Sequence, residues 1–135
     1  MNNELLLKEW YSKARMDIAT ARFMQSYRPV PIEIICYHCQ QAGERLLKGL
    51  LAAKGEEVPR THRLDIILAQ LNDPKLDDLA DACDELSAFA TVTRYPSAIE
   101  LTEADMHLAL AAMDEMIVRV AALGYLVDEK GGFYQ

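Results

Sequence analysis

The chain has 135 residues, enough for one domain with its own core, so neither a disulfide framework nor a structural metal is needed to hold it together. Its 21 acidic residues outnumber 14 basic ones for a formal charge of −7, which excludes non-specific nucleic-acid binding over the whole surface. No apolar stretch approaches the roughly 20 residues that span a bilayer, and three cysteines with no export signal ahead of them fit a reducing interior; the expectation is a cytoplasmic protein with no membrane partner.

Helical spacing appears in five segments and strand alternation in none, so the fold class is all-α. The first helix is expected over residues 3–25, with Leu7, Trp10, Ala14, Ile18 and Ala21 on one stripe. Pro29 and Pro31 break the chain, and Pro31 suits the first turn of a second helix reaching Lys54, where Gly55 supplies a left-handed stop. Thr61 is the expected N-cap of a short third helix carrying Leu64, Ile67, Leu68 and Leu71, ended by the turn Asn72-Asp73-Pro74. A fourth helix over residues 77–91 should bury Leu79, Ala82, Cys83, Leu86 and Phe89. Thr102 followed by Asp105 reads as a capping box opening a last helix that buries Met106, Ala109, Met113, Ile117 and Val120 and stops at Gly124. Long amphipathic helices joined by brief connections make an antiparallel up-and-down four-helix bundle, with one short extra helix, the simplest packing. The expected domain is 1–127, with a flexible tail over 128–135.

Charge is unevenly spread. Residues 1–63 hold ten Lys or Arg against seven Asp or Glu, whereas residues 64–135 hold four against fourteen. A nucleotide would therefore dock on the first half, while the acidic fourth helix is either a solvated face or a surface for a basic partner.

Cys36-x-x-Cys39 has the spacing of a redox dithiol or half a zinc knuckle. The remaining cysteine, Cys83, falls on the core face of another helix and His38 points away from the pair, so core packing is the expectation and neither metal nor cofactor is assigned. Glycine-rich phosphate loops, paired His-Glu metal motifs and nucleophile elbows are lacking.

The run Cys36-Tyr37-His38-Cys39-Gln40-Gln41-Ala42-Gly43-Glu44-Arg45-Leu46-Leu47-Lys48, followed by Pro59-Arg60-Thr61-His62-Arg63-Leu64 and then Thr93-Arg94-Tyr95-Pro96, resembles the HEPN family of small helical domains over about residues 5–123. The resemblance implies a bundle of four main helices and, for a stand-alone member, a homodimer accompanied by a minimal nucleotidyltransferase in a toxin–antitoxin-like pair. Cleaving members carry an arginine followed four to six residues later by a histidine, and here Ile99, Glu100 and Leu101 stand at those places after Arg94, with His107 thirteen residues on. The implied function is thus a non-catalytic module that binds a partner or a nucleotide. A divergent metal-independent ribonuclease using Arg94 with Tyr95 or His62 is one alternative. The other is an oligomerisation scaffold driven by the acidic fourth helix or by Met106, Met113 and Met116.

Two groups are the candidate ligand or partner contacts. Tyr37, Gln41, Glu44, Arg45 and Lys48 recur at three-and-four spacing on the second helix, with His38 beside them; the same pattern also describes a solvated face with a Glu44–Lys48 helix pair. Arg60, His62 and Arg63 gather chargeable groups where the third helix begins, and its amide end would help hold a phosphate; the competing reading has His62 packed on its loop and the arginines solvated. Arg94 and Tyr95 complete the set.

Overall fold

A computed structural model describes residues 2–92 and 100–124, and all regular structure among them is helical. The helices are α1 (Asn3–Phe23), α2 (Ile32–Ala53), α3 (Leu64–Leu71), α4 (Ala80–Ser87), α5 (Phe89–Val92) and α6 (Glu103–Ala122), with 3₁₀ turns at Met24–Ser26 and Pro74–Leu79. They form the expected all-α, antiparallel up-and-down bundle. No helix among the described residues is long and apolar enough to cross a membrane.

The ends of α1 and α2 follow the local signals. Asn2 accepts a hydrogen bond from the Glu4 amide to open α1, and Gly55, at φ 74°, takes the left-handed conformation that ends α2. The two helices run antiparallel: Gly49 lies against Tyr11, and further up Asp17 reaches His38 and Arg45.

The centre of the molecule is α2, which packs on α1, α3, α4, α5 and α6. Gly43 makes that possible, because a Cβ there would stand 2.8 Å from Leu64 Cδ2 and 3.0 Å from both Leu86 Cδ1 and Met116 Sδ. Every residue assigned to the buried faces of the fourth and last helices is buried, including Phe89, Met106, Met113 and Val120. Burial of such a set, at about 25 cal/mol per Å² of apolar surface, is the main favourable term in folding.

Three expectations need correction. The fourth segment is one continuous helix in the sequence pattern; it is instead a 3₁₀ turn, then α4, then a break at Ala88 before α5. Pro74 opens the 3₁₀ turn with Asp73 accepting from the Lys75 amide, so the chain is committed to the tighter coil before α-helix begins. Thr61 does not cap α3. Its hydroxyl accepts from the Arg63 amide, and the Leu64 amide is satisfied across the bundle by Ser87 Oγ at 2.9 Å. Finally, Met106, Met113 and Met116 lie in the core, so they offer no apolar seam to a second molecule. The Thr102–Asp105 capping box is present with both its hydrogen bonds.

Candidate functional site

The polar residues of α2 are not a solvated face. After α2 the chain returns across that face: Val58 packs on the core, the Glu57 carbonyl accepts from Gln70, and the His62 carbonyl accepts from Gln40 Nε2 at 3.1 Å. Gln40, Gln41, Glu44 and Lys48 are buried, although Gln41, Glu44 and Lys48 read as an open docking surface in the sequence. Burial of such groups is tolerable only with partners, and they have them. Glu44 Oε1 accepts from Gln40 Nε2 (3.0 Å) and from His62 Nδ1 (2.9 Å), while Oε2 accepts from Lys48 Nζ (3.0 Å). Gln41 Nε2 donates to Gln40 Oε1, and Lys48 also lies over the Trp10 ring, 5.9 Å from its centroid. Burial pushes the Glu44 carboxyl up, but hydrogen bonds from Gln40, His62 and Lys48 outweigh it and hold the group below the ordinary carboxylate value.

One member of this network reaches solvent. His62, with its side chain 48% exposed, stands in the wall of an open groove of about 520 Å³ lined by Arg60, Thr61, His62, Arg63, Asp84, Ser87, Ala88 and Ala90. Of the two arginines, Arg63 is engaged by Asp65 through Nε (3.1 Å) and Nη2 (2.6 Å). The Asp65 carboxyl is held below its ordinary value by that hydrogen bond and by the amides of Asp65 and Ile66 at the start of α3. The Asp65 carboxylate thus covers the amide end of the helix, and the expected contribution of that end to anion binding is taken up internally. Arg60 has no ion pair among the described residues and is exposed.

A second polar cluster lies between α1 and α2. Asp17, 4% exposed, receives His38 Nδ1 on one oxygen at 2.9 Å and Arg45 Nη1 on the other at 2.7 Å. Tyr37 meets the His38 ring edge-on, with 5.3 Å between centroids. Sequence reasoning placed His38, Tyr37 and Arg45 but missed Asp17. The available signal was an acid standing at three-and-four spacing within the apolar stripe of Ala14, Ile18 and Ala21.

Cys36, Cys39 and Cys83 are buried and free of disulfides. Burial pushes the thiols of Cys36 and Cys83 up to about 12 and that of Cys39 higher still, which makes them poor ligands and nucleophiles. Arg94 and Tyr95 lie outside the described residues.

The HEPN domain family model matches residues 7–123, which takes in both clusters and the groove. The chain belongs to the HEPN family. Among solved structures, this HEPN protein is similar to TT1696 from Thermus thermophilus, at 27% identity over 90% of this chain and 98% of that one, with a TM-score of 0.72. It is also similar to ST0689, described as an archaeal HEPN homologue, at 26% identity over 87% and 96% of the two chains and a TM-score of 0.70. No curated protein sequence matches it. In this HEPN bundle the structure brings Gln41, Glu44, Lys48 and His62 into one network and His38, Arg45 and Tyr37 into another, with Arg60 and Arg63 flanking the first.

Proposed function

We propose that this HEPN protein is a non-catalytic module that binds a nucleotide in the groove at the start of α3. The observation that carries the reading is His62: its ring is oriented by a buried, ionised carboxylate at 2.9 Å and stands at the groove wall beside Arg60. A histidine held in this way has a fixed orientation before any ligand arrives, which lowers the entropic cost of binding. The phosphate would sit between Arg60 and His62, with Arg63 joining it if the anion displaces Asp65. Ala88 and Ala90 offer a small apolar floor for the base, while Thr61, Ser87 and Asp84 supply the hydroxyl and carboxylate groups that a ribose or an amino group would pair with. The homodimer and the minimal nucleotidyltransferase partner belong to the same proposal, with the transferase as the source of the nucleotide.

Calorimetric titration with nucleoside mono-, di- and triphosphates is the test. Saturable binding that weakens about tenfold in Arg60→Ala, the loss of one charge-assisted hydrogen bond, is expected. No binding by any of them, or equal affinity in the variant, removes the groove from consideration. RNA cleavage by the wild type that an Arg94→Ala variant lacks would replace the non-catalytic reading with the ribonuclease one. Co-expression with a minimal nucleotidyltransferase should give a complex on size exclusion, and separate elution of the two would remove that partner.

A further inference from the structure

The Asp17 cluster lies apart from the groove, and the reading above does not use it. Its arrangement exceeds what a bridge between two helices requires. One carboxylate oxygen on one cation would tie α1 to α2, yet both oxygens are used, and both donors are partly open to solvent: His38 at 27% and Arg45 at 30% side-chain exposure. Each keeps hydrogen-bonding capacity beyond Asp17. Because the carboxylate only accepts, His38 Nδ1 carries the proton of that hydrogen bond, so in the neutral ring Nε2 holds the lone pair and is not used by Asp17. Arg45 gives Asp17 only Nη1, and its Nη2 and Nε have no partner among the described residues.

Charge settles what this face can hold. With His38 neutral, the Asp17 carboxylate and the Arg45 guanidinium cancel, and Nε2 presents a lone pair that repels an anion. With a proton on Nε2 the cluster carries one net positive charge, and two partly exposed donor groups, an imidazolium and a guanidinium, are held by one carboxylate. Among the described residues the ring meets Asp17 from α1 and, in a T-shaped contact, Tyr37 from α2, while Arg45 shares the carboxylate of Asp17. We infer that His38 and Arg45, held by Asp17, form a second oxyanion site on the α1–α2 face, which takes a tetrahedral oxyanion such as a phosphate monoester or a sulfate together with one proton. The three-oxygen face of such an anion matches a guanidinium fork with one further donor. The site is independent of the α3 groove and stands or falls on a different histidine.

The chain has three histidines, so each can be followed by its ring resonances. Sulfate is the probe, since its own charge is constant across the range where imidazole titrates, and chloride keeps the ionic strength fixed. Sulfate should move the His38 ring resonances saturably, while those of His107, exposed on α6, stay in place. Arg45→Gln should abolish the shift, and Arg45→Lys should keep part of it. Sulfate affinity read at the His38 resonances should fall as pH rises, as one linked proton requires. An unmoved His38, a His107 shift of equal size, an unchanged response in Arg45→Gln, or an affinity independent of pH would each overturn the inference. The wild-type pH series decides it even if Arg45→Gln fails to fold. Replacing sulfate with acetate asks whether the anion must be tetrahedral, and equal binding of both would overturn that part.

Discussion

Asp17 and Glu44 are buried to nearly the same degree, and each accepts a hydrogen bond from a histidine Nδ1 at 2.9 Å and another from a long cationic side chain. Their surroundings differ. Around Glu44 the cation, Lys48, is itself only 8% exposed and Gln40 is fully buried, so a single polar side chain of the network, His62, reaches solvent. Around Asp17 both partners reach solvent. The same carboxylate–histidine wiring thus gives a locked internal network in one place and an open surface cluster in the other. One of the partners of Glu44, His62, comes from the loop before α3, whereas both partners of Asp17 come from α2.

That contrast predicts unequal responses to removing the acid. Glu44→Ala leaves Lys48 buried without its acceptor and Gln40 with the His62 carbonyl alone, and should lose about 3–5 kcal/mol of unfolding free energy in denaturant titrations. Asp17→Ala should lose less, about 1.5–3 kcal/mol, because His38 and Arg45 can turn to water. Equal losses would break the comparison. If burial of Lys48 is what makes Glu44 costly to remove, an apolar double replacement, Glu44→Leu with Lys48→Met, should recover most of the loss.

Acid should act through Glu44 as well. Its folded-state pKa is depressed, so the stability it contributes is present above the unfolded carboxylate value and disappears as pH falls through the lower folded value. Glu44→Gln should therefore flatten part of the acid limb of the stability curve, and a limb identical to wild type would contradict the assignment. Smaller again is the effect of His62→Ala, under about 1 kcal/mol, since a half-exposed partner contributes little to stability even when it matters for binding. A larger loss would mean that His62 is a structural member of the network rather than its outlet.

The parts of the molecule written in local sequence were readable in advance. Gly55, the Thr102–Asp105 box and the three-and-four apolar stripes all act over four residues or fewer, and the structure places them as expected. What escaped depends on through-space partners. Ser87 caps α3 from 23 positions away, and nothing near Thr61 announces that. Likewise Gln41, Glu44 and Lys48 have the spacing of a solvated face, and their network draws on residues distant in sequence, among them His62 and Trp10. Asp17 was hidden for the converse reason, being a single charge in an apolar stripe whose partners lie on another helix. The cysteines were legible because three thiols on core faces need no partner at all; their raised pKa values predict negligible alkylation of folded protein at neutral pH and full alkylation after unfolding.

The central claim is that Glu44 positions His62 as the working outlet of the buried network. The most direct measurement is a nucleotide titration followed at the ring resonances of His62, in wild type and in Glu44→Gln. Saturable movement of His62 in the wild type, with affinity reduced about tenfold when Glu44 no longer carries its charge, is the predicted result. A nucleotide that binds while His62 stays still, or one that binds equally well in Glu44→Gln, would contradict it.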